Sequence, residues 1–157
     1  MSRSLSPLTR SEEDRRELIG WAVACAERVL PVFERELPRD ERPRAALEAA
    51  RTFARGEISI GAARKLAIAA HAAARQASTP AATAAARACG QALSVAHMAG
   101  HARGAAYYAL KVVALTHPDG ATSAVALEDE WQRRRLPARF FDFVYPTQEA
   151  SRSRSTD

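Results

Sequence analysis

AATAAARACGQALSVAHMAGHARGAAYYALKVVALT, residues 81–116, is apolar at helical spacing for longer than one ordinary globular helix, and Gly90, Gly100 and Gly104 interrupt it. Nothing in it alternates with the period of two that a half-buried strand needs, and alanine is the best helix former and a poor strand former. The run therefore reads as two helices with a break near Ala99 to Arg103. It also sets the character of the chain: 36 of the 157 residues are alanine, about half of all the apolar ones. A composition of that kind disfavours a β-sandwich, a disulfide scaffold and wholesale disorder. Facing helices rich in Ala and Gly can also approach toward the low end of the usual ~8–10 Å interaxial range.

Upstream, Ser11 followed by Glu12, Glu13 and Asp14 supplies an N-cap and a negative first turn. Leu18, Trp21, Cys25 and Val29 then recur at steps of three and four, on one helical face. This helix is expected to run to Leu37, with Pro31 kinking or splitting it and Pro38 stopping it. Asp40-Glu41-Arg42-Pro43 opens a second helix that Gly56 ends. Ser59 caps a third through Gln76, with Leu66, Ala70, Ala73 and Ala77 as its buried stripe and Arg64, Lys65 and Arg75 toward water. Thr79 and Pro80 start the fourth.

Downstream, His117-Pro118-Asp119-Gly120 is a turn, a helix follows from Thr122 to Leu136, and Pro137 stops it. Arg139 to Tyr145 is a short aromatic segment placed to cap the bundle. The expected fold is all-α, a single-domain bundle of about six or seven helices over residues 11–146, with a flexible arm at 1–10 and a flexible polar tail at 147–157.

The formal charge is +5, but the two ends carry +3 of it, leaving +2 for residues 11–150. A nearly neutral body with both signs interspersed has no obvious field for a polyanion, which disfavours nucleic acid as a partner. No run of ~20 apolar residues is present, so no membrane span is expected. The first residues lack the apolar segment of a secretory signal, and the expected location is the cytoplasm. Cys25 and Cys89 each sit inside an apolar helical pattern without a CxxC partner and read as buried reduced thiols.

The constellations that carry chemistry are sparse. His97 and His101 are four apart, and on one uninterrupted helix they would share a face able to hold zinc. The segment HMAGH lacks the internal Glu of HExxH, has no obvious third ligand nearby and contains a glycine, so histidines hydrogen-bonded at a helix junction are the plainer reading. His71 and His117 add nothing stronger. Ser94 and His97 form the one local nucleophile–base pair, at a spacing commonplace in helices. No GxSxG, phosphate-cradling glycine loop or paired-carboxylate motif is found. Trp21 reads as core, whereas Trp131 suits core and interface equally. In EDEWQRRR, residues 128–135, acid precedes base as the helix dipole favours. Tyr107 and Tyr108 are about 100° apart around a helix, so at most one can be deeply central.

Several stretches together resemble the all-helical immunity proteins of bacterial polymorphic toxin systems. They are Asp40 to Arg44 running into ALEAAR up to Arg51, AHAAAR at 70–75, the long alanine-rich run at 84–113 with its AH…GHA…AAYYALK order, and EWQRRRLP at 130–137. The resemblance implies a cytoplasmic protein that binds and neutralises a cognate protein toxin. Inhibitors of nucleases often present acid to a basic cleft, and this nearly neutral body does not suit that role. The reading is thus a non-catalytic binding protein without cofactor or metal. Its candidate partner contacts are Trp131, Gln132, Arg134 and Arg135, then His97 and His101. Self-association is compatible with it. The alternative is a small helical metal-binding protein or enzyme using His97 and His101, with Tyr108.

Overall fold

Three side-chain caps start helices where the sequence places them. The hydroxyls of Ser11, Ser59 and Thr79 accept from the backbone N–H of Asp14, Ala62 and Ala82 at 3.1, 3.1 and 3.2 Å, each satisfying a donor the first turn leaves open. The computed structural model describes residues 6–147. Over these it is all-α: α1 (Glu12–Glu27), α2 (Leu30–Glu36), α3 (Arg42–Ala54), α4 (Ile60–Gln76), α5 (Pro80–Ser94), α6 (His101–Thr116), α7 (Ala121–Arg135) and α8 (Phe141–Val144), with a 3₁₀ turn at Ala138–Phe140 before the last. That makes eight α-helices among the described residues, against the six or seven expected. Pro31 splits the first helix into two, since its ring cannot follow an intact turn, and the aromatic segment closes with a helix of its own. Gly56, at φ +75°, ends α3 in the left-handed conformation that glycine adopts without strain.

α5 is the central helix: α4 and α6 pack along it, and α1, α2 and α3 cover its inner side. Its outer side stays partly open, along the i, i+4 stripe Thr83, Arg87 and Gln91. α7 packs chiefly on α6. Among the described residues alanine supplies 22 of the 39 buried apolar ones, so the bulk of the interior falls to a few large side chains, chiefly Phe33, Phe53, Phe140, Leu18, Ile19, Leu30, Leu47 and Leu93. Cys25 and Cys89 are free and buried, and burial pushes both thiols up, out of reach of physiological pH. On α4 the buried stripe is Ala63, Ala67, Ala70, Ala73 and Ala74; Leu66, expected inside, is 36% exposed. No helix among the described residues is long and apolar enough to cross a membrane.

The break in the long apolar run lies at Val95–Gly100, a turn earlier than the sequence suggests. Its backbone groups find partners far away in the chain. Ala99 N–H donates to Thr9 O (3.2 Å) and Gly100 N–H to Leu8 O (2.9 Å). The buried Arg15 donates from Nε to Ala96 O (2.9 Å) and from Nη1 to Arg10 O (2.8 Å). Half of the expected N-terminal arm is therefore seated: residues 6–10 strap the α5–α6 junction, and Arg10 adopts φ 57° to do so. The remainder of the arm, residues 1–5, and the tail from residue 148 lie outside the described residues.

Candidate functional site

α7 buries a polar stripe. Glu128 and Gln132 are its buried residues, and Gln132 is 0% exposed. Gln132 Nε2 donates to Ala106 O (3.2 Å), and its own backbone carbonyl accepts from Trp21 Nε1 (2.8 Å). Trp21 is core as expected, 4% exposed. Gln132, expected as a partner contact, is instead an internal strut between α1, α6 and α7: its side-chain amide donates to the α6 backbone, and its backbone carbonyl accepts from the Trp21 indole of α1. Glu128 accepts a two-pronged ion pair from Arg28 at 2.6 and 2.9 Å. The half-buried Trp131 carries the guanidinium groups of Arg28 and Arg135 at 4.0 and 4.8 Å from its ring centroid. Arg134 is exposed and pairs with Glu130 within its own helix, as Arg133 does with Asp129 at 2.8 Å. α7 thus holds its charges mainly in internal pairs, in the acid-before-base order its sequence shows.

The other expected residues gather across the α5–α6 junction. His97 lies in the break and His101 begins α6, so the two share no continuous helix, yet their rings approach to 5.0 Å between centroids. His101 Nδ1 meets Gln91 Oε1 at 2.8 Å. His71 joins them from α4: its ring lies flat on Gly90, where an added Cβ would come within 2.6 Å of Nε2, and Arg87 Nη1 donates to its Nδ1 at 2.9 Å. A guanidinium can only donate, so that contact requires the unprotonated Nδ1. All three imidazoles are held below their ordinary value of 6.5 and are neutral at pH 7. Burial is the largest cause in each, joined at His71 by Arg87 and at His97 by His101 and Arg64. The Ser94 hydroxyl donates to Gly90 O at 2.8 Å, so the Ser94–His97 pair does not form. Tyr108 lies farther along α6, above Arg87 and Lys111. Among the described residues, no three His, Cys, Asp or Glu side chains are grouped so as to hold a metal.

These residues belong to a larger surface that the charge reading overlooks. From Ile58 to Pro118 there is no Asp or Glu, while Arg64, Lys65, Arg75, Arg87, Arg103, Lys111 and all four histidines of the chain lie there. This stretch carries +6 and the rest of the chain −1. It coincides with α4, α5 and α6. The signs are interspersed in α1, α2, α3 and α7, but α4–α6 carry cations alone. Setting the ends against the body hides this, whereas a running charge count along the helices reveals it.

The outer face of the three helices holds two shallow hollows. One, of about 390 Å³, is lined by Ser78, Thr79, Pro80, Thr83, Ala84, Arg87, Tyr108 and Lys111. The other, of about 110 Å³, lies among Arg64, Ala67, Ile68, His71, Ser94 and His97. The Arg87–His71 contact joins them. Arg64, Lys65, Arg75 and Lys111 are exposed and, among the described residues, have no carboxylate partner. Arg103 is turned to other use, donating to Phe143 O at 2.9 Å and lying over the Phe143 ring. A further hollow, about 520 Å³ between the α2–α3 loop and the end of α4, differs in kind. There Arg42 is paired with Asp40 and bonded to Gln76, and Glu36 accepts from the backbone of Ser78 and Thr79, which holds its carboxyl below the usual range.

A family profile described as Imm-5 like putative immunity protein matches residues 8–139. The chain belongs to this family. No curated protein and no solved structure matches it. For this immunity-family chain the matched region begins at the strap on the α5–α6 junction and ends just after α7, so it takes in both the histidine cluster and the acid-free helices.

Proposed function

We propose that this chain is a bacterial cytoplasmic immunity protein that neutralises a cognate protein toxin by stoichiometric, non-catalytic binding. Membership of the immunity family over residues 8–139 is the observation that carries this reading. The architecture suits it: α5 is packed by α1, α2, α3, α4 and α6, and a stiff surface loses little conformational freedom when it meets a partner. A binding protein also needs an open face rather than an enclosed polar chamber, and the outer side of α4–α6 is of that kind.

Co-expression tests the proposal. A candidate toxin, the C-terminal domain of the gene product encoded immediately upstream, is expressed in a bacterial host with and without the chain. Growth arrest relieved by the chain, with a stable complex of fixed stoichiometry on a sizing column, is the expected result. Persistent arrest with no complex would remove the reading.

A further inference from the structure

Resting on the immunity reading, we infer that the outer face of α4–α5–α6 is the docking surface, and that the toxin meets it with an acidic patch centred on an apolar contact. Three independent features converge there. The first is charge: Arg64 and Arg75 on α4 and Lys111 on α6 are exposed, lack carboxylate partners among the described residues, and belong to 61 successive residues without an acid. Such a field attracts carboxylates and speeds their encounter; the Glu36 carboxylate stands at its edge, on the backbone of Ser78 and Thr79. The second is exposed apolar surface set among those charges, Ile68 at 65% and Tyr107 at 59% exposure. Tyr107 lies one turn from Lys111, and Ile68 lines the smaller hollow beside Arg64. The third is relief: the two hollows are shallow receptacles for side chains, joined by neutral imidazole and amide groups that donate and accept without demanding charge.

The mixture selects the class of partner. A nucleic acid calls for a dense track of cations along a phosphate backbone. Here Arg64 and Arg75 stand on either side of Ile68 along α4 and Lys111 one turn from Tyr107 on α6, a mixture closer to the apolar centre and charged rim of a protein interface. A second copy of the chain docking through the same face is disfavoured, because it would set Arg64, Arg75 and Lys111 against like charges.

The test uses the full chain and the neighbouring toxin domain, with affinity followed by calorimetric titration at two salt concentrations. In one variant Arg64, Arg75 and Lys111 are all changed to Ser. In a second, Arg35, Arg39 and Arg55 are changed to Ser, removing the same charge from other surfaces. All six side chains are exposed, so both variants are expected to melt as the parent does. The expected result is affinity lowered about 30-fold or more by the first variant and about 3-fold or less by the second, with parental binding weakening as salt rises. If both variants bind as the parent does, the docking face is wrong while the immunity reading stands. If the parent itself neither binds nor protects, both fall together. A 20-base-pair DNA duplex serves as the counter-probe. Tight binding of the duplex that only the first variant loses, with toxin binding unaffected, would overturn the protein assignment for this face.

Discussion

Arg15 shows how much one side chain can carry. It is 6% exposed and ties Ala96 O to Arg10 O across the α5–α6 junction. Replacing it with Ala leaves both carbonyls short of a charged donor, and a loss of about 2–4 kcal/mol is expected in urea unfolding. Gly90 is the complementary case. A methyl group there meets the His71 ring at 2.6 Å, so Gly90→Ala is expected to destabilise by about 1–2 kcal/mol despite alanine's better helix propensity. In a His71→Ala background the same change becomes neutral or stabilising, a non-additivity that a double-mutant cycle reads directly. Sequence gave no warning about either residue. Arg15 looks like one more charge in an exposed first turn, and Gly90 like a helix interruption; only the chain segments that cross them assign their roles. Gln132 misled for the same reason, since an amide followed by three arginines looks solvated until its contacts with the Trp21 indole on α1 and the Ala106 carbonyl on α6 are known.

Helix starts and stops were mostly legible, because Ser11, Ser59, Thr79, Pro31, Pro43, Gly56 and Pro137 act through local backbone chemistry. The α5–α6 break was misplaced by about a turn because its partners, Leu8, Thr9 and Arg15, are some 80 to 90 residues away in the chain. α7 is the least apolar of the long helices in its buried contacts, docking through Glu128 and Gln132. Glu128→Gln keeps the shape but removes the ion pair to Arg28, whose guanidinium is partly exposed. A loss of about 1–2 kcal/mol is expected. It should appear in hydrogen exchange as faster opening of residues 121–135, with α5 unaffected. Uniform loss across all helices would show instead that α7 unfolds only with the whole domain.

For the molecule as a whole, the histidines couple stability to pH. Unfolded imidazoles take up protons near 6.5, whereas His71, His97 and His101 in the fold resist until lower pH. Below 6.5 the unfolded chain therefore binds more protons, so stability is full above that value and declines as pH falls from it. The paired carboxylates of Asp14, Glu34 and Asp40 are held below their ordinary values and add their own loss only at more acidic pH. The urea midpoint is expected to drop between pH 7.5 and 5.5, and His71→Gln with His97→Gln should flatten that drop; an unchanged slope would exclude the histidines as its source. Acid also breaks the Arg87–His71 contact, which joins the two hollows of the cationic face. That face was open to reading from the sequence as 61 residues without an acid, but its exposure on one side of α5 was not. At 157 residues the chain suits solution NMR. Titrating the labelled chain with the neighbouring toxin domain should shift amide signals within residues 64–75, 87–91 and 101–111 and leave α1–α3 and the outer side of α7 unmoved. Shifts concentrated on α1–α3 or α7, or no shifts at a saturating excess of the toxin domain, would contradict docking through α4–α6.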